Sequence, residues 1–165
     1  MEWLCKWGHR KGSSPQQQAV GYLEMIVLYY LLRVGGYTAP KRQRRQPITQ
    51  QFLVNDVTFF KLRKTCGFLS SLPLNESRQE LLVSVAEKLH ITEHKNLFKG
   101  ACVHHGALEG KIFARPMKAL ARQVTHIRVH TSDGMTILCA YWDSVGRGDV
   151  NVWRTKDRKS VVRHT

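Results

Sequence analysis

Basic residues are the side chains in this sequence whose type and spacing suit a chemical task. Arg33 follows a strongly apolar segment, Lys95 and Lys99 lie in a short polar stretch, and residues 41–45 read Lys-Arg-Gln-Arg-Arg. The planar guanidinium group of arginine donates paired hydrogen bonds to phosphate, and lysine binds phosphate as a point charge. The basic run consists of Lys41, Arg42, Arg44 and Arg45. The pattern indicates recognition of phosphate groups, and the basic run alternatively fits a nuclear-import signal.

The charge of the whole chain favours the same chemistry. The sequence has 165 residues, with 26 lysines and arginines against 12 acidic residues, which gives a net charge of +14. Such a field attracts polyanions, above all nucleic acid. A hydrophobic fraction of 42% is typical of a packed domain rather than a disordered basic tail. We predict an amino-terminal extension over residues 1–14 and one domain over residues 15–165.

The first predicted element is a helix that positions Arg33. Ser13 and Ser14 are suitable caps, Pro15 suits a first turn, and the apolar residues that follow cover nearly all faces. The helix is therefore predicted to lie in the centre of the domain and to end at residues 35–36, both glycine. Arg33 lies in the last predicted turn of this helix. Its charge is costly to bury unless it is paired or faces an anion.

Membrane association is not expected. The apolar run at residues 19–32 is shorter than the roughly 20 residues that span a bilayer, and it contains Glu24. Residues 1–11 show no apolar core followed by a cleavage site, so no signal peptide is predicted.

The later elements are predicted from periodicity and turn residues. Alternating apolar residues predict a strand over 51–60 with a bulge near Asp56, residues 70–78 are rich in turn formers, and residues 87–105 predict a β-hairpin. Apolar spacings of three and four predict an amphipathic helix from Pro116. Residues 137–142 form a short apolar segment, and a last helix is predicted from Thr155. The order predicts an α+β fold, mainly helical, with a small antiparallel sheet.

Cysteine and histidine offer a weaker, alternative chemistry. The four cysteines are widely spaced, which favours free thiols in a reducing compartment. Five potential metal ligands cluster in the predicted hairpin: His90, His94, Cys102, His104 and His105. Their spacing is not that of a zinc finger, and strand alternation places His104 and His105 on opposite faces. We expect no metal ion and no organic cofactor.

Several segments resemble the catalytic domain of tyrosine recombinases, the phage-integrase-like enzymes, particularly those of eukaryotic mobile elements of the Crypton and DIRS type. Residues 31–38 resemble the segment Leu-Leu-Arg-x-Gly-Glu-Tyr-Thr, and residues 51–60 resemble the strand that follows it. Residues 94–100 resemble the hairpin Gln-Lys-Asn-Gly-x-Lys-Gly, residues 115–122 the helix that begins Cys-Pro-Val-Lys-Ala-Leu, and residues 138–142 a later segment. The order of the segments is that of the family, from about residue 18 to residue 159.

This resemblance implies the fold of the DNA breaking and rejoining enzymes, in which a tyrosine attacks a DNA phosphodiester. Arg33 matches the first catalytic arginine. Lys95 matches the hairpin lysine proposed to protonate the leaving oxygen, with Lys99 as the alternative. Fixed cationic donors stabilise the negative charge that develops on the phosphate oxygens. Double-stranded DNA is the implied partner, with self-association on DNA in the full-length family, and a nuclear location is expected in a eukaryote.

Two departures from the family pattern affect activity. Gly36 stands where the family has glutamate, and no histidine in the chain has an arginine three residues later. The last tyrosine, Tyr141, lies in a segment that matches an internal strand, so no residue matches the nucleophile. We therefore expect a DNA-binding, partial recombinase domain that does not cleave DNA as it stands. The alternative hypothesis is a non-catalytic basic protein that binds nucleic acid within a larger assembly.

Overall fold

The fold was analysed in a computed structural model, which describes residues 10–30, 51–62, 67–73, 75–91, 100–106 and 116–150. The described elements are, in chain order, α1 (Pro15–Tyr30), a 3₁₀ turn (Val54–Asp56), β1 (Val57–Leu62), β2 (Leu69–Leu72), α2 (Arg78–Leu82), β3 (Ala86–Ile91), β4 (Ala101–Gly106), α3 (Pro116–His130), β5 (Ala140–Trp142) and β6 (Arg147–Asp149). This is an α+β fold with antiparallel sheets, as predicted.

The start of α1 is fixed by a reciprocal pair of hydrogen bonds. The Ser14 hydroxyl accepts from the backbone N–H of Gln17 at 3.2 Å, and the Gln17 side-chain oxygen accepts from the backbone N–H of Ser14 at 2.8 Å. This capping box satisfies two backbone donors that the first turn leaves unpaired, and Pro15 needs no donor there. The predicted start of the helix is confirmed, and its predicted end at residues 35–36 lies outside the described residues.

The main sheet has four antiparallel strands in the order β2-β1-β3-β4. The register aligns Leu72, Phe59, Glu87 and His105 in one row across the sheet. The side chains of this row point towards α1 and belong to the buried or partly buried face. The pairing of β3 with β4 confirms the predicted hairpin.

Helices α1 and α3 pack against each other, and residues of both join the strands in one hydrophobic core. Helix α3 buries the apolar residues at its spacings of three and four, including Leu120, Val124 and Ile127, as predicted. Helix α1 is less enclosed than its composition predicts. Leu28 keeps 41% of its surface exposed, because the core covers α1 on the sides of Leu23 and Tyr30 but not all round.

Beyond the main sheet, β5 and β6 form a small two-stranded sheet that is linked to α3 by Gln123. The amide nitrogen of this fully buried residue donates to the carbonyl oxygens of Leu138 at 2.7 Å and Ala140 at 2.8 Å. The preceding segment is held by a bridge between Leu53 and Ile137. The segment that precedes β1 is therefore paired with the segment that precedes β5.

Some predicted elements differ from the structure. The strand predicted over residues 51–60 begins only at Val57, because residues 54–56 form a 3₁₀ turn in which the Asp56 carboxylate accepts from the backbone N–H of Leu53 at 2.8 Å. Residues 70–72, predicted as turn, belong to β2, and α2 and β6 were not predicted. Of residues 137–142, only Ala140–Trp142 form a strand. The helix predicted from Thr155 lies outside the described residues.

Two absences hold for the described part of the chain. No helix there is long and apolar enough to cross a membrane. Cys102 is exposed and Cys139 is buried, and neither takes part in a disulfide bond, while Cys5 and Cys66 fall outside that part.

Candidate nucleic-acid interface

The seven basic residues predicted to contact DNA all lie outside the described residues. They are Arg33, Lys41, Arg42, Arg44, Arg45, Lys95 and Lys99. The structure fixes the elements that precede and follow them in the chain. Arg33 comes three residues after Tyr30, the last described residue of α1, and Lys95 lies in the connection between β3 and β4.

The β3–β4 hairpin carries further basic side chains on the sheet face that points away from α1. Lys88 pairs in register with His104, and His90 pairs with Cys102. Lys88 and His90 are partly buried, whereas His104 and Cys102 are exposed. Along its described length, the outer face of this hairpin therefore carries one lysine, two histidines and a cysteine.

The inner face of the same hairpin meets the end of α1 in a buried polar contact. The hydroxyl of Tyr30 donates a hydrogen bond to Oε1 of Glu87, and the Tyr30 ring packs edge-on against His105 with ring centroids 4.5 Å apart. Glu87 and His105 are direct neighbours across the two strands. This contact fixes the last turn of α1, and so the point from which the chain leads to Arg33, against the base of the hairpin.

Burial controls the ionisation of this contact. None of the surface of Glu87 is exposed, and desolvation raises its pKa to about 8, although the hydrogen bond from Tyr30 acts in the opposite direction. The pKa of Tyr30 is also raised, first by burial and then by the charge of Glu87. Glu87 is therefore mainly a neutral carboxylic acid at pH 7. Within the described residues, its Oε2 atom and Nε2 of His105 make no hydrogen bond.

The metal-binding alternative gains no support within the described residues. No group of three histidine, cysteine or acidic side chains there could hold a metal ion. The strand alternation that the sequence predicted is present, since His104 is exposed and His105 lies on the inner face beside Tyr30. His94, the remaining member of the proposed ligand set, lies outside the described residues.

A second cluster of aromatic and cationic side chains joins the end of α3 to the β5–β6 hairpin. The ring of His130 stacks on the indole of Trp142 with centroids 5.1 Å apart and an interplanar angle of 10°. The guanidinium carbon of Arg147 lies 5.6 Å from the Trp142 ring centroid. Stacking and cation–π attraction hold these three side chains together.

His126, on α3, ties the backbone of β5 to the helix. Its Nε2 atom accepts a hydrogen bond from the backbone N–H of Trp142 at 3.0 Å. A ring nitrogen that accepts must carry no proton, so the neutral ring holds its proton on Nδ1. Burial, and then the neighbouring charge of His130, lower the pKa of His126, which favours this neutral form.

These side chains were not singled out in the sequence, although a signal was present. Helix α3 contains one lysine, two arginines and two histidines and has no acidic residue. A helix with that charge pattern is unusual even in a basic chain, because acidic and basic residues are usually interspersed on exposed helix faces. Trp142 gave no such signal, since its position beside His130 depends on tertiary packing.

Comparison with known proteins identifies no relative. No protein-family model matches the sequence, and no curated protein or solved structure matches it.

Proposed function

We propose that this chain is a DNA-binding, partial catalytic domain of a tyrosine recombinase, the class of enzyme that breaks and rejoins DNA through a phosphotyrosyl bond. In this proposal Arg33 and Lys95 hold one phosphodiester of duplex DNA. The basic run at residues 41–45 and Lys99 contact neighbouring phosphates. The domain supplies binding and charge stabilisation, and the chain as given does not cleave DNA.

The observation that carries the proposal is the order of the resembling segments. Residues 31–38, 51–60, 94–100, 115–122 and 138–142 follow one another as they do in the family. The described elements support this order, since a partly buried helix precedes Arg33, an antiparallel hairpin brackets Lys95, and α3 begins at Pro116. The excess of basic residues supports DNA as the partner.

The contact between α1 and the hairpin gives further support. Tyr30 lies three residues before Arg33, and it is bonded to Glu87, which lies on the same strand that leads to Lys95. The proposal requires Arg33 and Lys95 to reach the same phosphate. A rigid contact between α1 and β3 would keep the chain segments that lead to Arg33 and to Lys95 at a constant position relative to each other.

A double-mutant cycle tests the shared phosphate. Arg33→Ala and Lys95→Ala are made singly and together in the full chain, and their affinities for a fluorescein-labelled 20-bp duplex are measured by anisotropy. Two side chains on one phosphate should show a coupling energy of about 0.5–3 kcal/mol. The pair Arg33→Ala and Lys88→Ala is the matched control and should be additive, since Lys88 lies on the outer face of the sheet.

Strict additivity of Arg33→Ala and Lys95→Ala would contradict the recombinase-like site. With binding to duplex DNA retained, that result would favour a basic nucleic-acid-binding component that has no assembled phosphate site.

A further inference from the structure

A line of cationic, imidazole and indole side chains runs along α3 and onto the β5–β6 hairpin. Lys118, Arg122, His126 and His130 are spaced four residues apart, so each is a neighbour of the next on the helix surface. The line continues through Trp142, which stacks on His130, to Arg147. We refer to these six residues as the α3 ridge.

We propose that the α3 ridge is a second DNA-binding surface, which contacts the phosphate backbone of duplex DNA separately from Arg33 and Lys95. The inference rests on the proposed function for the identity of the polyanion. Its evidence is independent, because every residue of the ridge lies within the described structure and none belongs to the segments that carry Arg33 or Lys95.

The length and charge of the ridge suit a DNA strand. Twelve residues of α-helix separate Lys118 from His130, a rise of about 18 Å, which spans roughly five phosphates of one strand along the duplex axis. Helix α3 has no acidic residue to neutralise this line. Along the hairpin, Asp149 lies 3.4 Å from the Nε atom of Arg147, but this exposed pair is weak.

A hydrogen bond to the backbone distinguishes Arg128, the other basic residue of α3, from the ridge. Arg128 points to another side of the helix, where its guanidinium donates to the carbonyl oxygen of Glu76 at 2.9 Å, and burial lowers its pKa. Lys118 and Arg122 are partly exposed, and His130 and Arg147 are exposed. Arg128 therefore serves the fold, whereas the three cations of the ridge, Lys118, Arg122 and Arg147, are at least partly accessible to a ligand.

Trp142 acts in this proposal as a positioning residue. Its backbone N–H is held by His126, and its indole lies between the helix end at His130 and the guanidinium of Arg147. This stack, rather than an ion pair with an acidic residue of α3, keeps Arg147 next to the end of the helix. Contacts with the phosphate backbone of DNA determine affinity and salt dependence rather than sequence preference.

The test uses the full chain and the same 20-bp duplex. Lys118→Gln, Arg122→Gln and Arg147→Gln should each weaken binding roughly 3- to 10-fold near 100 mM salt and reduce the slope of log K against log salt by about one. Lys61→Gln, at the exposed end of β1, is the matched control and should change binding less than twofold. Lys118→Arg and Arg122→Lys retain the charge and should bind like the original chain.

The positioning role of Trp142 is tested by comparing the DNA affinities of single and double variants. Trp142→Leu should weaken binding as much as Arg147→Gln, and the double variant should be no weaker than either single variant. Additive losses would show that Trp142 does not act through Arg147, which would contradict its positioning role, and an unchanged affinity of Arg147→Gln would remove the hairpin from the ridge. Far-UV circular dichroism and the thermal midpoint establish that each variant is folded.

The outcomes separate this inference from the proposed function. Salt-dependent binding that is unchanged by the glutamine variants of the ridge would overturn the inference and leave the Arg33–Lys95 site standing. Losses in the ridge variants together with additivity of Arg33→Ala and Lys95→Ala would retain the ridge and contradict the recombinase-like site. No binding of duplex DNA by the original chain would contradict both.

Discussion

The hydroxyl of Tyr30, at the end of α1, donates a hydrogen bond to the carboxyl group of Glu87 on β3, and none of the surface of Glu87 is exposed to solvent. This contact joins the helix that leads to Arg33 to the strand that leads to Lys95. A buried acid in a core position is costly when ionised, so the contact makes stability depend on pH.

The Glu87 carboxyl should make the folded state less stable as pH rises. Its pKa is raised from 4.5 to about 8, so the folded chain keeps a proton that the unfolded chain releases between those values. The stabilisation is complete below the unfolded pKa and is lost as pH rises through the folded pKa. We expect a loss on the order of 1 kcal/mol per pH unit between pH 5 and 7, measured by urea unfolding.

Glu87→Gln is the matched control for that titration, because it keeps the shape of the neutral acid and has no ionisable proton. The variant should lack this component of the pH dependence and should be at least as stable as the original chain at pH 8. Parallel stability profiles for the two proteins from pH 5 to pH 8 would show that Glu87 does not titrate in this range.

Removal of the Tyr30 hydroxyl should destabilise the fold. Tyr30→Phe leaves the buried Oε1 atom of Glu87 without its donor, and a buried polar group left unsatisfied costs about 1–3 kcal/mol. The same change should raise the pKa of Glu87 further, because the hydrogen bond from Tyr30 lowers it. Tyr29→Phe is the control on the adjacent, partly buried residue and should cost less than about 0.5 kcal/mol. Equal losses from both variants would contradict a specific role for the Tyr30 hydroxyl.

Gln123 should be the polar residue of α3 that tolerates substitution least. Gln123→Leu leaves the carbonyl oxygens of Leu138 and Ala140 without their donor, which should cost about 2–4 kcal/mol in the free energy of unfolding. Gln123→Glu is nearly the same size but places a carboxyl group against two carbonyl oxygens, so it should be at least as damaging at pH 7. Thermal unfolding measures both. Retention of the original midpoint by Gln123→Glu would indicate that the two hydrogen bonds contribute little.

His126 should release the β5–β6 hairpin in acid. Its pKa is lowered in the folded state, so its contribution to stability is present above the unfolded pKa of about 6.5 and is lost as pH falls through the folded value. Protonation converts Nε2 from an acceptor into a donor and breaks the hydrogen bond from the backbone N–H of Trp142. Hydrogen exchange of that amide, corrected for its intrinsic rate, should be better protected at pH 7.5 than at pH 5. His126→Phe should abolish the difference, and equal protection at both pH values would contradict the mechanism.

Some elements could be predicted because local signals and tertiary packing agree. The Ser-Pro start of α1 coincides with its observed capping hydrogen bonds, and the apolar spacing of α3 matches the residues that the core buries. The hairpin from residue 87 was predicted from its two apolar stretches and the polar connection between them. In α3 and in the hairpin, the spacing of apolar residues along the sequence matches the geometry of the element.

Other elements could not be predicted, or their signal was missed. The alternation of Phe52 and Val54 reads as strand, yet Val54 begins a 3₁₀ turn, which shifts the alternation by one residue before Val57 and Phe59. β2 consists of two leucines and two serines and is stabilised mainly by its pairing with β1. α2 did carry a signal, because the Ser77 hydroxyl accepts from the backbone N–H of Glu80, in a Ser-x-x-Glu capping sequence.

The residues of the candidate site also differ in how far the sequence predicts them. Clustered basic residues are visible in the sequence alone, whereas the α3 ridge depends on which residues of a helix are left uncovered by its neighbours. The stack of His130, Trp142 and Arg147 joins residues that are distant in sequence. No local pattern predicts such a contact, although the absence of acidic residues from α3 was visible.

The most direct test of the central claim is the salt dependence of binding to duplex DNA by the full chain. We predict a linear fall of log K with log salt between 50 and 200 mM, with a slope of about −3 or steeper, because at least Arg33, Lys95 and the α3 ridge release counterions from phosphates. Binding should depend little on the base sequence of the duplex. An affinity that stays flat across this range, or no binding at 50 mM salt, would contradict the account.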